Sequence, residues 1–236
     1  MKDFGDRFFI TGIDTDVGKT VVSSVLVEAF SADYWKPVQC GDLEQSDTMK
    51  VRSLISVDQS QCHPETHRFR HPVSPHLAAE REGKKIELEH FKVPETRKPL
   101  IIEGAGGVLV PLNERAWIVD LARRFGCRVL LVSRNILGSL NHTFLSIEAL
   151  QRRGLEVSGL IFNGDANEEL ENFVERRSRV PIWFRMPREH QLSPEVISSH
   201  ARRFRENLKH EFRSDRSEAP MASIYSAKNG TQPHPD

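Results

Sequence analysis

Short apolar segments alternate with polar loops along most of the chain. Six such segments stand at residues 7–11, 34–38, 100–102, 128–133, 158–162 and 181–185. Sequences such as VLLVS and GLIF are apolar on both faces, which is typical of strands buried inside a parallel sheet. The pattern therefore predicts six buried β-strands.

Between these segments, apolar residues recur at helical spacing. They do so over residues 20–30, 117–125 and 142–153, where each repeat places its apolar side chains on one side of a helix. Strands that alternate with helices predict an α/β fold, in which a largely parallel sheet is flanked by helices and the crossovers are right-handed. The sequence shows no internal repeat.

The middle of the chain, residues 60–98, is less regular. It holds four prolines, which are Pro64, Pro72, Pro75 and Pro94, and four of its histidines are closely spaced, namely His63, His67, His71 and His76. The prolines interrupt any helix on which the histidines could stack, so a metal site built from them is not favoured. We expect a loop-rich excursion from the sheet with one helix near residues 76–82.

Towards the C-terminus, apolar residues recur every third or fourth position over residues 194–213, with arginines and lysines on the flanks. This pattern predicts one basic amphipathic helix. The residues beyond it are polar and lack periodicity, which favours disorder. We therefore expect a single domain at residues 1–212 and a disordered tail at residues 213–236.

Composition narrows the class of protein. The 236 residues, of which 38% are hydrophobic, can build one sizeable core. Lys+Arg and Asp+Glu both number 33, so the net charge gives no long-range attraction to nucleic acid or anionic lipid. Three widely spaced cysteines and no signal-peptide pattern favour a reducing cytoplasm over a disulfide scaffold. We expect a cytoplasmic protein without a nucleic-acid or membrane partner.

The segment GIDTDVGKT, residues 12–20, has the composition of a phosphate-binding loop. It follows a predicted strand and precedes a predicted helix, so backbone N–H groups would converge on a phosphate at the helix start. Gly12 and Gly18 would permit tight backbone turns, Lys19 would reach the β and γ phosphates, and Thr20 would ligate magnesium. Five residues separate the two glycines, where the usual pattern has four.

The acidic residues of this loop indicate which kind of group it faces. Asp14 and Asp16 place negative charge beside a polyphosphate, which is unfavourable unless a cation intervenes. The loop is therefore expected to face magnesium or a cationic substrate group such as an amine.

From this point the sequence resembles the dethiobiotin synthetase family, whose members are P-loop NTPase-like. The family's loop is GTDTDVGKT-like. Further matching segments follow in order, which are YWKPVQCG at 34–41, SD at 46–47, HPVSPHLAA at 71–79, IIEGAGGVLVPL at 101–112 and GSLNH at 138–142. The resemblance spans residues 8 to 165, and it is the ordered set of segments that makes it specific.

The resemblance implies a ring-closing ligase. Such an enzyme joins carbon dioxide to 7,8-diaminononanoate with ATP as co-substrate and Mg²⁺ as cofactor, and it yields dethiobiotin, ADP and phosphate. A substrate amine becomes a carbamate, the carbamate attacks the γ-phosphoryl group, and the second amine closes the ring. Catalysis would come mainly from charge neutralisation and alignment.

The resemblance also assigns site residues by position. The implied catalytic residues are Lys19, Lys36 and Thr15. The implied nucleotide-binding residues are Asp16, Val17, Gly18, Lys19, Thr20 and Asn163. The implied substrate-binding residues are Thr15, Lys36, Cys40, Gly106, Gly107, Gly138, Ser139 and Asn141. The implied magnesium ligands are Thr20, Asp47 and Glu103. In the family, the helix start at Gly138 binds the substrate carboxylate across a subunit interface, so a homodimer is implied.

Each of these assignments has a simpler alternative when it is taken alone. Lys36 follows a strand and points towards a ligand crevice in a parallel sheet, but it could be a surface lysine. Glu103 could serve a salt bridge or a helix cap, and Asp47 or Asn141 could simply begin a helix.

Four positions depart from the family pattern. Ile13 stands where threonine is usual, and Cys40 replaces a hydroxyl residue with a weaker hydrogen-bond donor. Further along, Phe184 replaces an expected glycine, and Gln191 stands where a ribose-binding glutamate is often found. These last two departures leave the nucleotide preference open.

Two other functions compete with the ligase. One is a partitioning or placement ATPase that acts as a membrane- or DNA-associated switch, which the basic helix at residues 194–213 would suit. Such ATPases carry an extra signature lysine early in the loop, where this chain has aspartates. The other is an amidotransferring ligase of cobalamin synthesis, which normally adds a glutaminase domain for which this chain has no room.

Overall fold

The computed structural model describes residues 7–57 and 60–214, with side chains described as far as residue 208. Most of the predicted tail, residues 215–236, lies outside the described residues. Residues 213 and 214 belong instead to the last helix. The buried apolar side chains of the described residues form one contiguous core.

Among the described residues, the main sheet has seven parallel strands. In chain order they are β1 (Arg7–Gly12), β2 (Asp33–Trp35), β4 (Cys62–His63), β6 (Leu100–Gly107), β7 (Arg128–Ser133), β8 (Val157–Asn163) and β9 (Ile182–Met186). A small second sheet pairs β3 (Val38–Cys40) with β5 (His67–Phe69). The order β4-β2-β6-β1-β7-β8-β9 places β1 at the centre, so its carboxyl end is flanked by those of β6 and β7.

In the part of the chain that the structure describes, six α-helices lie between strands and a seventh follows the last strand. They are α1 (Lys19–Phe30), α2 (Asp47–Leu54), α3 (Pro75–Arg81), α4 (Asp120–Arg124), α5 (Ser139–Gln151), α6 (Glu168–Ser178) and α7 (Pro194–Ser214). The predicted α/β class, a largely parallel sheet flanked by helices, is confirmed. Among the described residues, no helix is both long enough and apolar enough to cross a membrane.

The predicted strand at residues 34–38 is wrong in its extent. It is divided at Lys36 and Pro37, where β2 ends and the chain passes to β3 of the second sheet. Proline lacks the N–H that a central strand needs, so pairing with β6 stops there. The Pro37 carbonyl instead accepts the N–H groups of Thr66 and His67, each at 3.0 Å.

Other elements also differ from the predicted ones. The helix expected at residues 117–125 covers only Asp120–Arg124, because Trp117 forms a bridge with Pro111 and its N–H is held by the Asp120 carboxylate at 2.8 Å. Helix α6 was not predicted, although Asn167 caps it and its charges suit the helix dipole, with acidic residues in the first turn and arginines in the last.

Helix α7 packs against helix α1 and strand β9. Its buried side chains include Ile197, Ala201 and Phe204, while Arg202 and Arg203 are exposed. Phe204 makes edge contacts with the rings of Phe30 and Phe184, with centroids 5.6 Å apart in each case. The helix therefore buries its apolar face against the core of its own domain and keeps these arginines in solvent.

Candidate active site

The phosphate loop connects β1 to α1 as the sequence predicts. Gly18 has a φ of 92°, in the left-handed region, and it immediately precedes the helix. A Cβ atom at Gly18 would lie 2.0 Å from Nδ2 of Asn163, so only glycine fits there. Asn163, at the end of β8, donates a hydrogen bond to the Val17 carbonyl at 2.8 Å and so holds the loop from the neighbouring strand.

The acidic residues of the loop serve partly to shape it. The Asp14 carboxylate accepts the Thr15 backbone N–H at 2.7 Å, and the Asp14 carbonyl accepts the Lys19 ammonium at 2.9 Å. Asp14, Thr15 and Asp16 are exposed, and Asp16 adopts a left-handed backbone with a φ of 52°. Arg134 reaches over from the end of β7 and donates to the Asp16 carbonyl at 3.1 Å.

Lys36 lies at the centre of a buried polar cluster beside this loop. Its ammonium donates to Glu103 Oε1 at 2.9 Å and to the Asp47 carboxylate. Thr20 donates to the same Glu103 oxygen at 2.9 Å. Four predicted site residues, from the α1 start, the β2 end, the α2 start and β6, therefore converge at one point of the sheet edge. Lys36 is not a surface lysine, since it is 5% exposed.

The position of Glu103 corrects one expectation. It was predicted to follow a strand that ends at residue 102, but β6 continues to Gly107 and pairs with β1 on both sides of the glutamate. Glu103 pairs in register with Ile10, two residues before the phosphate loop, and is 1% exposed. A buried carboxylate is stable only when it is paired and hydrogen-bonded, which Lys36 and Thr20 provide.

The cluster sets the charge of its members. Burial alone would lower the pKa of Lys36, but the Glu103 and Asp47 carboxylates outweigh it and hold the pKa above its usual value. Burial would raise the pKa of Asp47, but Lys36 outweighs it and lowers the pKa. Burial lowers the pKa of Lys19 to about 8, even though Glu103 opposes the shift. Lys36 is thus a fixed positive charge between two carboxylates.

Sequence reasoning missed Tyr34 as a member of this cluster. Its hydroxyl donates to Glu103 Oε2 at 2.8 Å, and the side chain is 0% exposed. Burial, reinforced by the negative charge of Glu103, raises the pKa of Tyr34 well above its usual value, so the hydroxyl stays protonated. The sequence indicated only that Tyr34 belongs to an apolar strand, because it does not show which side chain a strand residue contacts on the neighbouring strand.

The donor atoms fit a hard divalent cation. Thr20 offers a hydroxyl, and Asp47 and Glu103 offer carboxylates, which are the ligands that magnesium accepts beside phosphate oxygens and water. No group of three or more His, Cys, Asp or Glu side chains placed to hold a metal occurs in the described ranges, and this includes the four histidines between residues 63 and 76.

A cavity of about 170 Å³ lies on the other side of the phosphate loop, beside Asn163. Its wall comes from the ends of β7, β8 and β9, together with the segment that follows β9. Glu189 lines it, and its Oε1 accepts a hydrogen bond at 2.7 Å from Nε2 of His200, a buried residue of α7. Gln191, which was considered for the ribose position, is not among the lining residues, whereas Glu189 is.

Asn135 also lines this cavity and was not predicted. Its Nδ2 donates to the buried Glu171 carboxylate at 2.5 Å, and Arg185 holds the other Glu171 oxygen at 2.6 Å. Asn135 lies two residues after the end of β7, and its hydrogen bond to Glu171 connects it to the first turn of α6. The position after a central parallel strand was the available signal, since ligands bind outside the carboxyl ends of such strands.

The glycine-rich end of β6 runs close to the phosphate loop. Gly107 pairs in register with Gly12, and Gly106 has a φ of 66°. A Cβ atom at Gly106 would lie 2.6 Å from Val110, so this turn requires glycine. Cys40 ends β3 and is half-buried, and burial raises the pKa of its thiol to about 11.

The start of α5 stands apart from the Lys36 cluster. Gly138 precedes the helix with a φ of 88°, and Ser139 is buried with no described partner for its hydroxyl. Asn141 is exposed. Within the described part of the chain, no hydrogen bond joins the residues 138–141 to Lys36, Asp47 or Glu103. Three residues around this start are exposed and apolar, namely Ile136, Leu137 and Leu145.

Comparison with known proteins places the chain among enzymes. A family profile described as an AAA domain matches residues 6–196. The ATP-dependent dethiobiotin synthetase BioD of Christiangramia forsetii is 47% identical over 201 residues, which cover 85% of this chain and 97% of that protein. Proteins of the same name from Cytophaga hutchinsonii and Brucella ovis are 44% and 43% identical and cover 83% and 84% of this chain, and 95% and 94% of their own lengths.

Solved structures show the same fold at low sequence identity. The Pyrococcus furiosus cell division ATPase MinD is similar at a TM-score of 0.50 and 14% identity, covering 88% of this chain and 100% of that chain. The septum site-determining protein MinD of Pyrococcus horikoshii, solved with Mg-ADP, also gives 0.50 and 14% identity, covering 86% and 90%. These similarities establish the P-loop NTPase fold of the chain.

Proposed function

The chain belongs to the dethiobiotin synthetase family of ATP-dependent ligases, and from that premise we propose that it forms dethiobiotin from 7,8-diaminononanoate, carbon dioxide and ATP. The observation that carries this proposal is the convergence of Lys36, Thr20, Asp47 and Glu103 beside the phosphate loop. A buried ammonium at that point suits a reaction in which two anions must approach each other.

The proposed reaction balances without a protein nucleophile. One substrate amine adds to carbon dioxide and loses a proton, which gives a carbamate. A carbamate oxygen attacks the γ-phosphorus of ATP, the bond from that phosphorus to the β–γ bridging oxygen breaks, and ADP leaves. The second amine then attacks the carbonyl carbon of the phosphorylated carbamate and loses a proton. The bond from that carbon to the phosphate oxygen breaks, the ureido ring closes, and inorganic phosphate leaves.

Lys36 and Lys19 would supply the positive charge for this sequence. Lys36 keeps its proton, because its two carboxylate neighbours hold its pKa above the usual value. Its ammonium would lie between the carbamate and the γ-phosphate, while Lys19 would contact the β and γ phosphates from the loop. Positioning and charge neutralisation of this kind are the main contributions to phosphoryl transfer.

Thr20, Asp47 and Glu103 would hold a magnesium ion. The ion would supply further charge neutralisation at the phosphate oxygens when it is bound. The Lys36 ammonium contacts the carboxylates of both Asp47 and Glu103. The carboxylate groups proposed as metal ligands therefore already face one point.

The nucleotide base would occupy the cavity beside Asn163, with Val17 and Gly18 supporting the phosphates and Asp16 at the loop's outer side. Asn163 already uses its Nδ2 on the Val17 carbonyl, which leaves its oxygen for the exocyclic amine of adenine. Glu189, Arg134 and the Asn135 side chain are further polar groups at this wall.

The diamine would lie on the opposite side of the loop. Thr15, Cys40, Gly106 and Gly107 would border it, and an amine there would relieve the negative charge of Asp14 and Asp16. The carboxylate of the substrate would bind at the α5 start, at Gly138, Ser139 and Asn141, of a second copy of the chain.

The decisive experiment is incubation of the protein with ATP, magnesium, bicarbonate and the diamine, followed by detection of the ring-closed product by mass spectrometry. We expect product from the wild-type protein and a loss of about 100- to 1,000-fold in kcat for Lys36→Ala or Lys19→Ala, because each removes a charge aimed at the transferred phosphoryl group. Circular dichroism is expected to show an unchanged fold.

The matched control is Lys50→Ala. Lys50 also contacts Asp47, at 3.6 Å, but its side chain is 45% exposed, so its loss is expected to change kcat by less than about twofold. Lack of product from the wild-type protein would overturn the proposed reaction. Wild-type rates in the Lys36 variant would remove the role given to that lysine.

A further inference from the structure

We propose that Tyr34 is a positioning residue that holds Glu103 so that only one of its two carboxylate oxygens faces the bound metal ion. This inference rests on the proposed function, in which Glu103 is a magnesium ligand. Tyr34 itself contacts neither the phosphate loop nor the Asp47 carboxylate through a described hydrogen bond, so it acts through Glu103.

The sheet register brings the two side chains together. Tyr34 on β2 pairs with Ile101 on β6, and Glu103 lies two residues further along β6. Residues two apart on a strand point to the same side of the sheet, so the tyrosine ring lies along β6 and its hydroxyl ends beside Glu103. The oxygen of Tyr34 is 2.8 Å from Glu103 Oε2, and both residues are buried.

The two oxygens of Glu103 have different partners. Oε1 accepts hydrogen bonds from Thr20 and Lys36, each at 2.9 Å, and thus faces the site. Oε2 accepts from Tyr34, and no other hydrogen-bond donor to this oxygen occurs among the residues that the structure describes. Because a carboxylate is planar, the bond at Oε2 fixes the direction in which Oε1 points.

This arrangement has a consequence for the choice of metal. Magnesium requires near-octahedral geometry with short bonds and takes single carboxylate oxygens, whereas calcium accepts more ligands and readily takes both oxygens of one carboxylate. A hydrogen bond that occupies Oε2 therefore favours magnesium over calcium. Partners that orient a metal ligand in this way typically change metal affinity by about 10- to 100-fold.

The test is Tyr34→Phe, which removes one oxygen and keeps the ring that fills the core. Mg²⁺ and Ca²⁺ dissociation constants are measured by calorimetric titration of the ADP-saturated protein. We expect the Mg²⁺ affinity to fall about tenfold or more and the Ca²⁺ affinity to fall less, so that the preference for Mg²⁺ decreases. A purely structural role of Tyr34 would change both affinities by the same factor.

Two further variants keep the test decisive. Trp35→Phe removes a hydrogen bond on the same strand, from Nε1 to the Pro64 carbonyl at 3.2 Å, and is expected to leave the ratio of the two affinities unchanged. Glu103→Asp draws the carboxylate away from the Tyr34 hydroxyl without changing the tyrosine, and is expected to reduce the preference for Mg²⁺ as Tyr34→Phe does. If Tyr34→Phe does not fold, Glu103→Asp alone decides whether the hydrogen bond from Tyr34 favours Mg²⁺.

Glu103→Gln separates this inference from the proposed function. If it leaves Mg²⁺ affinity unchanged, Glu103 is not a ligand, and the metal site and the role of Tyr34 both fall. If it weakens Mg²⁺ binding while Tyr34→Phe and Glu103→Asp leave the ratio of Mg²⁺ to Ca²⁺ affinity unchanged, only the role of Tyr34 is overturned.

Discussion

At the scale of single residues, the site depends on charges that cancel inside the protein. Lys36 carries a full positive charge in a buried position because two carboxylates surround it. Removing Lys36 would leave the buried Glu103 carboxylate without its cation, which is far more costly than the loss of an exposed ion pair. The residues proposed for the chemistry therefore also stabilise one another.

Cys40 gives a prediction at this scale. Burial raises the pKa of its thiol to about 11, from an ordinary value of 9.0, so at pH 7.5 the reactive thiolate is about 100-fold less abundant than in an ordinary thiol. We expect iodoacetamide to modify Cys40 slowly, at a rate that rises about tenfold per pH unit between pH 7 and 9. Peptide mapping by mass spectrometry at each pH measures the rate.

An internal comparison is present in the same chain. Burial raises the pKa of Cys127 to about 12, so its thiolate is scarcer still and its modification should be slower. A Cys40 rate that levels off below pH 9 would contradict the environment described for this thiol, since a plateau marks a pKa that has been passed.

At the scale of elements, one proline separates two sheets and thereby places Lys36, the lysine proposed for catalysis, at the end of a main-sheet strand. β2 stops before Lys36 because Pro37 cannot continue the ladder with β6, and β3 then pairs with β5. The ammonium consequently lies where a strand of the main sheet ends, which is where ligands bind in parallel α/β sheets. A continuous strand would have carried this part of the chain past the phosphate loop.

Helix α7 gives the prediction at this scale. Phe204 is fully buried between aromatic rings of α1 and β9, so Phe204→Ala is expected to lower the free energy of unfolding by about 3–5 kcal/mol. Urea denaturation followed by circular dichroism measures the change. The exposed Arg202→Ala is the control and is expected to change stability by less than about 0.5 kcal/mol.

The outcome also bears on the alternative function. A helix that serves as a membrane-binding switch would leave its apolar face available, and the loss of Phe204 would then cost little stability. A change below about 1 kcal/mol would therefore argue against the docked helix described here.

At the scale of the whole molecule, the described chain leaves a set of apolar side chains in solvent around the start of α5. Leu137 is 105% exposed, and Ile136 and Leu145 are 53% and 54% exposed. These exposed apolar groups cluster beside the start of α5, which we propose as a substrate-binding site. Such a cluster suits an interface with a second copy of the chain. This supports the proposed homodimer.

Leu137→Asp tests the interface. We expect the variant to sediment as a monomer at concentrations where the wild-type protein is a dimer, because an aspartate at a two-fold contact places like charges in an apolar interface. We also expect kcat/KM for the diamine to fall, since the proposed carboxylate site would lose its second subunit. Analytical ultracentrifugation and steady-state kinetics measure the two effects.

Met49→Asp serves as the matched control, because Met49 is 45% exposed on α2, away from α5 in the chain. It is expected to leave the oligomeric state unchanged. If the Leu137→Asp variant remains a dimer, this surface is not the interface. If the wild-type protein is a monomer with full activity, the proposed substrate site shared between two subunits does not exist.

The sequence by itself determined the parts of this protein that depend on local pattern. The alternation of apolar segments and helical repeats specified the α/β class. Burial on both faces of a strand and the 3.6-residue period of a helix are both visible in the order of neighbouring residues. The order strand, GIDTDVGKT and helix specified the phosphate loop for the same reason. The predicted boundaries at Lys36 and Trp117 were wrong, because they depend on which neighbour takes the backbone hydrogen bonds.

Only the tertiary structure decided which side chains meet. Thr20, Lys36 and Glu103 lie on three elements that are far apart in the chain, and the strand order β2-β6-β1 brings them to one point. The same order places Tyr34 against Glu103, and the segment after β9 places Glu189 beside Asn163. Strand order and register arise from the packing of the complete core, so no local pattern of residues encodes these contacts.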